Sequence, residues 1–426
     1  MGILNWGFRA NLKVHQVKDE TKSIDLKTKN GGTSKFKNFI DNLEIIDPKK
    51  KLWLNPLLFN GSLQTLYYTS VDTSKKFLIY YGRELFTYED GGICSLDWVI
   101  EPPKSELEFK KIYNETLPEG FPRLNKRSRY FTEDELAGIR KHDQESTKPL
   151  VVVLHGLGGG SHEPLIRNLA EDIGKKTNNE WDLVVINSRG CCRTKVTTDK
   201  LFTAIATGDI KEVLLEMRRR FPNRPIYAVG FSFGAIMLAN FLGEFEKDPE
   251  HDNLIKAACL IGCAWDMVDS AYHLDNSWTG KYLLNPNLTK YLNKIIKNNF
   301  KELNNHDSTI FNEKNLIKGQ QQTKTWQFDN VFTCHLAGFS NPMEYYREGS
   351  PVRRIKNIKT PTLAINSIDD PAVSVRLPTF EVANNPHIAL VETDLGGHLG
   401  FVQSNGDYWC VEAVEEFFTN FEAKFQ

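Results

Sequence analysis

Gly230-Phe-Ser-Phe-Gly234 constrains this chain more than any other stretch, because it stands between an apolar β-rich run, Ile226-Tyr-Ala-Val229, and a helical one, Ala235-Ile-Met-Leu-Ala-Asn-Phe-Leu242. Glycine on both sides of a serine lets the backbone make a strained strand-to-helix turn that exposes the hydroxyl, the nucleophile-elbow pattern. The five residues alone also fit an ordinary Gly-rich turn. Their strand-turn-helix setting is what points to chemistry.

That setting extends along the chain. From Pro149 onward short apolar strands alternate with amphipathic helices, the sequence form of a mostly parallel, twisted sheet covered by helices on both faces. The expected strands are Leu150 to Leu154, Trp181 to Ile186, Ile226 to Val229, Ala257 to Ile261, Thr362 to Ile365 and Ile388 to Val391. The expected helices are Glu163 to Gly174, Asp209 to Arg220, Ala235 to Phe245 and Cys410 to Phe421. Upstream, Phe77 to Tyr81, Leu85 to Tyr88 and Ile93 to Ile100, with the turn Asp90-Gly-Gly92, read as hairpin strands. Residues 104–148 read as a surface linker with one short helix near Glu133 to His142. The aromatic, Asn/Lys-rich stretch 270–345 lacks a core strand and reads as an inserted helical lid lining an acyl tunnel. The resulting organisation is an N-terminal accessory extension (1–76), a first core part (77–269), the lid (270–345) and a second core part (346–426).

A serine hydroxyl needs a base, and the base an orienting carboxylate. At the strand ends of such a sheet the order is Ser, acid, His. Downstream of Ser232, the strand Thr362-Leu-Ala-Ile365 runs into Asn-Ser-Ile-Asp369-Asp370-Pro-Ala-Val373. After the next strand comes Asp394-Leu-Gly-Gly-His398-Leu-Gly400, where glycines let an imidazole lean over the sheet edge. Singly, His398 reads as a loop histidine and the Asp pair as a solvated turn; in this order on successive strand ends they make a catalytic triad of Ser232, one of Asp369 and Asp370, and His398. Upstream, Leu154-His-Gly-Leu-Gly-Gly-Gly160 fails both the dinucleotide and the P-loop patterns. It fits an oxyanion loop, with the backbone N–H groups of Leu157 and Phe233 as donors and His155 orienting the loop.

Other features receive plain readings. Lys+Arg 53 against Asp+Glu 54 leaves a net charge of −1, which gives nucleic acid no electrostatic footing. The seven cysteines show no C-x-x-C spacing, so disulfide frameworks and structural zinc are not expected, and Cys191-Cys192 reads as packing. No metal or organic cofactor is called for. Arg218-Arg219-Arg220 closes a helix, where dipole compensation and solvation account for it. The start, Met1 to Arg9, carries neither a secretory nor a myristoylation pattern and no apolar run spans a bilayer, so the chain is expected to be intracellular.

Taken together, His155-Gly-Leu-Gly-Gly-Gly-Ser-His-Glu-Pro164, Asn187-Ser-Arg-Gly-Cys191, Gly230-Phe-Ser-Phe-Gly234, Asn366-Ser-Ile-Asp-Asp-Pro371 and Thr393-Asp-Leu-Gly-Gly-His398 resemble the α/β-hydrolases of the YheT-like branch, and within it the yeast medium-chain fatty acid ethyl ester synthase/esterases. The resemblance takes in Leu63-Gln-Thr-Leu-Tyr67, Tyr81-Gly-Arg-Glu84 and Asn341-Pro-Met-Glu-Tyr-Tyr346, nearly the whole chain. It implies an α/β-hydrolase fold and acyl transfer from medium-chain acyl-CoA, as substrate, to ethanol, with hydrolysis of fatty acyl esters and thioesters. It also implies peripheral attachment to lipid droplets or mitochondrial membranes. The acid loop of such hydrolases often takes the form Asp370-Pro-Ala-Val373, which favours Asp370 as the orienting acid and leaves Asp369 a turn or cap residue. Phe231 departs from the Cys or Tyr expected there. The rival expectations are a monoacylglycerol lipase or carboxylesterase with the same triad, and a catalytically silent binding protein of lipid surfaces.

Overall fold

Leu150–Leu154 and Ala257–Ile261 are buried at every residue, which is why they read as continuous apolar runs and not as alternating ones: strands of a parallel sheet covered on both faces have no solvent side. The computed structural model describes residues 9–245 and 254–426; the stretch 1–8, read above for targeting signals, lies outside the described residues. The chain divides into two units, one comprising the residues up to Asp72, Tyr227–Leu284 and Tyr346–Gln426, the other Thr73–Ile226 and Asn285–Tyr345.

In the first unit the strands lie in the order Leu12–His15, Ile388–Thr393, Thr362–Ser367, Ala257–Ile261 and Ile226–Phe231. The last four are mutually parallel, and Leu12–His15 pairs antiparallel with Ile388–Thr393. The register sets Phe231 beside Ile261, Ile261 beside Ile365, and Ser367 beside Thr393, so the parallel strands end together. The turn at Ser232, the Asp369-Asp370 loop and the His398 loop therefore all leave from the same sheet end, where ligands of open α/β sheets bind. Helices Phe233–Phe245 and Trp409–Lys424 belong to this unit.

The N-terminal stretch is more than an accessory extension. Leu12–His15 contributes an edge strand, tied by Lys13 and His15 to Glu392. Helix Phe36–Asp41 sets Phe36 and Phe39 against Phe417 and Phe421 of the C-terminal helix, with ring centroids 5.5–6.5 Å apart. A second helix, Gly61–Ser70, follows.

In the second unit the strand order is Leu150–Leu154, Asp182–Asn187, Ile93–Ile100, Tyr80–Thr87 and Ser128–Tyr130. The two strands expected before the Asp90 turn are one, Tyr80–Thr87, antiparallel to Ile93–Ile100. Arg83 and Asp97, 1% and 0% exposed, pair face to face across that hairpin at 2.7 and 2.8 Å. The expected linker holds helix Glu106–Thr116, strand Ser128–Tyr130 and helix Glu133–Arg140, the last opened by a Thr132/Glu135 capping box. Arg220 departs from its solvated reading: it is buried and pairs with Glu84 and Glu216. The stretch expected as a lid is largely helical. Met267–Asn276 falls in the first unit, and Asn285–Asn298, Phe300–His306, Glu313–Gln320, Thr325–Asp329 and Thr333–Leu336 in the second.

Candidate active site

Ser232 has φ +52°, in the left-handed region that an L-residue enters only at a cost. Its N–H donates to the Ile261 carbonyl at 2.8 Å, which pins the turn to the neighbouring strand. A side chain at position 230 would put its Cβ 2.6 Å from the Gly234 carbonyl carbon and 2.7 Å from Ala235 Cα. The first glycine of the motif is thus required by the returning helix. Phe233 is the first residue of that helix.

The imidazole of His398 bridges the other two predicted residues. Its Nε2 lies 2.7 Å from Ser232 Oγ and its Nδ1 2.8 Å from Asp370 Oδ2. Asp370 is 1% exposed at its side chain, and its Oδ1 accepts from the N–H groups of Ala372 and Val373 at 2.7 and 3.0 Å. An acceptor on one nitrogen and a hydroxyl on the other select the tautomer protonated at Nδ1, which leaves Nε2 to take the serine proton. Gly262, with φ +64°, passes under the ring, and a Cβ there would meet His398 Cε1 at 3.6 Å and Leu399 Cδ2 at 2.9 Å.

Asp369 turns away from the imidazole. Its Oδ1 accepts from Ser367 Oγ at 2.6 Å and from the N–H groups of Gly396 and Gly397 at 3.1 and 2.8 Å. Burial pushes its carboxyl above the ordinary range; the Ser367 and Gly397 bonds oppose that, and the neighbouring Asp370 charge adds to it. The two adjacent carboxylates therefore differ in partner: Asp370 meets the ring, and Asp369 holds the loop that carries the ring. Beneath the acid loop, His273 Nε2 lies 2.7 Å from the Asp370 carbonyl oxygen.

In the second unit, Leu157 lies in the turn after strand Leu150–Leu154, where Gly159 N donates to Gly156 O at 3.0 Å. His155 is buried, with Nδ1 2.7 Å from the Gly156 carbonyl oxygen and Nε2 accepting from Ser188 N at 3.0 Å; burial lowers its pKa. A neutral ring locked at both nitrogens orients a loop and takes no proton. Cys191 and Cys192 are buried and unbridged, like the other five cysteines. Cys192 does more than pack: burial opposes ionisation of its thiol, yet Arg83 and a hydrogen bond with His162 outweigh it and bring the pKa down to about 7. Among the described residues no group of His, Cys, Asp and Glu is arranged to hold a metal ion, and no helix is long and apolar enough to cross a membrane.

Sequence reasoning missed Gly262, His273 and, on helix Gly61–Ser70, Thr65, whose Oγ1 accepts from the His398 N–H at 2.8 Å. The only pointer to Thr65 was its place in Leu63-Gln-Thr-Leu-Tyr67, a run that carries no chemical signature of its own.

Residues 149–404 match the family described as alpha/beta hydrolase fold. The chain is 40% identical to medium-chain fatty acid ethyl ester synthase/esterase 2 of Saccharomyces cerevisiae, over 98% of this chain and 96% of that protein. It is 33% identical to the monoacylglycerol lipase of the same yeast, over 85% of this chain and 78% of the relative. The putative esterase YheT of Escherichia coli matches at 27% identity, over 68% and 82%.

Proposed function

The chain belongs to the α/β-hydrolase fold family, as a hydrolase or acyl-transfer enzyme, and from that premise we propose that it forms medium-chain fatty acid ethyl esters from acyl-CoA and ethanol, and hydrolyses medium-chain esters and thioesters, through an acyl-serine intermediate. The observation that carries the proposal is the continuous line from Ser232 Oγ through His398 to Asp370, at 2.7 and 2.8 Å.

In the proposed mechanism Ser232 Oγ attacks the acyl carbonyl while Nε2 of His398 takes its proton, and Asp370 stabilises the imidazolium. The backbone N–H of Phe233, the residue after the nucleophile, is assigned to the developing oxyanion. Collapse of the tetrahedral intermediate returns the proton to the departing thiol or alcohol and leaves the acyl group on Ser232. His398 then takes a proton from ethanol or water as its oxygen attacks the acyl carbon, and returns that proton to Ser232 Oγ as the Oγ–acyl bond breaks, releasing the ester or the acid. Proton transfer and charge stabilisation are both supplied by the chain, so the scheme calls on no metal or organic cofactor. Acyl-CoA enters as substrate, and the setting we propose is intracellular, peripheral to lipid droplets or mitochondrial membranes.

The second reading, hydrolysis of monoacylglycerols by the same three residues, is favoured by the 33% identity to the yeast lipase. One assay separates the two. Purified protein is incubated with octanoyl-CoA at rising ethanol, following free CoA, octanoate and ethyl octanoate, with a monoacylglycerol in parallel. Ethyl octanoate should grow at the expense of octanoate, because transfer is a partition of one acyl-enzyme. Octanoate as sole product at every ethanol concentration would refute the transferase reading, and preferential turnover of the glyceride would install the second.

A further inference from the structure

Three consecutive backbone amides lead into the imidazole of His398, and a side chain takes each of them. Gly396 and Gly397 donate to Asp369 Oδ1, and His398 donates to Thr65 Oγ1 at 2.8 Å. Four residues on, Val402 N donates to Gln64 Oε1 at 2.8 Å. Thr65 and Gln64 are 1% and 0% exposed and adjacent on helix Gly61–Ser70, which opens with Asn60 accepting from Leu63 N. The hydroxyl proton of Thr65 goes to the Gly61 carbonyl at 2.7 Å, so a lone pair is left to meet the His398 N–H.

The fit leaves no slack. A Cβ at Gly397, which has φ +59°, would lie 2.7 Å from Thr65 Oγ1, and a Cβ at Gly61 would lie 2.6 Å from Asp369 Cγ. The first turn of this helix therefore wedges between the acid loop and the histidine loop. The histidine loop needs such a wedge: Gly396, Gly397 and Gly400 fall within it, and Leu399 and Phe401 have φ +60° and +50°. A backbone with that much freedom does not by itself aim a ring at two partners at once.

We propose that Thr65 is a positioning residue for His398: its hydroxyl fixes the backbone from which the imidazole reaches between Asp370 and Ser232. The proposal rests on the acyl-serine reading, and it gives helix Gly61–Ser70 a part in turnover without any contact with the reacting atoms. Displacing a reacting group by about 1 Å can cost on the order of 100-fold in rate. Removing the Thr65 hydroxyl should act on kcat and leave substrate affinity nearly untouched.

The test compares Thr65→Val, which keeps the volume and loses the hydroxyl, with Thr65→Ser, which keeps the hydroxyl, using the full chain and p-nitrophenyl octanoate, with Ser232→Ala alongside. Thr65→Val should lower kcat by roughly 10- to 100-fold with KM held within about twofold, and Thr65→Ser should recover most of the loss. The low-field proton resonance of His398 Nδ1–H should broaden in Thr65→Val and persist in Thr65→Ser. Folded Thr65→Val with a wild-type kcat, or Thr65→Ser as impaired as Thr65→Val, overturns the proposal. Should Thr65→Val not fold, Thr65→Ala replaces it and is judged against Thr65→Ser in the same way. Turnover by Ser232→Ala would instead sink the acyl-serine reading, so the two failures are told apart.

Discussion

Replacing Asp370 by Asn tests the assignment of the two neighbouring carboxylates most sharply, because the surrounding bonds dictate which way the new amide must face. Asp370 Oδ1 accepts from two N–H groups, that of Ala372, part-buried, and that of Val373, buried. An Asn that keeps its oxygen there turns its NH2 toward His398 Nδ1, forcing the ring into the tautomer protonated at Nε2, which cannot accept the serine proton. The opposite orientation faces donors with donors and leaves two N–H groups unsatisfied at about 1–3 kcal/mol each, about 2–6 kcal/mol in all. The unproductive tautomer therefore prevails, and the imidazolium loses its counter-charge as well. A loss of about 10³ to 10⁴ in kcat follows, about 4–5.5 kcal/mol of barrier. Asp369→Asn behaves differently: Oδ1 alone accepts from Ser367, Gly396 and Gly397, and an amide oxygen can keep all three. Its cost should stay within about tenfold. Octanoyl-ester kinetics with thermal melts give the numbers, and ¹⁵N shifts of His398 report the tautomer. An Asp370→Asn protein retaining more than about a tenth of wild-type kcat, or an equal fall in Asp369→Asn, would refute the reasoning.

Ser232→Ala and His398→Ala should each lose on the order of 10³-fold or more in ester turnover with unchanged circular dichroism, and near-normal activity in either folded variant would remove it from the site. Gly230→Ala must push against backbone atoms of Gly234 and Ala235, so urea unfolding should show a loss of about 1–3 kcal/mol, with activity falling further than the folded fraction. His387, pushed down to about 4 by burial and then by Lys359, binds fewer protons folded than unfolded between that value and its unfolded pKa of about 6.5. Its contribution is therefore full above that window and lost as pH falls through it, by about 1–2 kcal/mol once partial exposure is allowed for. Urea midpoints of His387→Gln should fall less than those of the parent from neutral to acidic pH.

The elbow was legible because its demands are local: Gly230 and the flanking strand and helix are written within a score of residues. Leu150–Leu154 and Ala257–Ile261 match their expected bounds because a fully buried strand shows as an uninterrupted apolar run. The choice between Asp369 and Asp370 could not be read from composition or spacing, since both carboxylates share one turn and only the partners of each oxygen separate them. The N-terminal stretch was the least legible. Its strands run two to four residues, too short to show a period, and the stretch is tied to the site end of the sheet by distant partners: Leu12–His15 beside Ile388–Thr393, and Thr65, on a helix, beside His398. Helix Glu106–Thr116 is hidden in the sequence because its charge and the flanking prolines look like linker.

The bond between Thr65 and His398 spans 333 positions, and this has a consequence for how the protein is born. On a ribosome adding about 5–20 residues per second, the helix that steadies the histidine emerges roughly 15–65 s before the loop it steadies. During that interval the edge strand Leu12–His15 has nothing to pair with and Phe36 and Phe39 lack the rings of Phe417 and Phe421. The nascent chain thus carries an open strand edge and bare aromatic surface, the kind of surface that chaperones shield, until nearly all of it has been made. Catalytic competence would then arrive last and all at once, because a chain cut short before the histidine loop lacks the base that Ser232 needs.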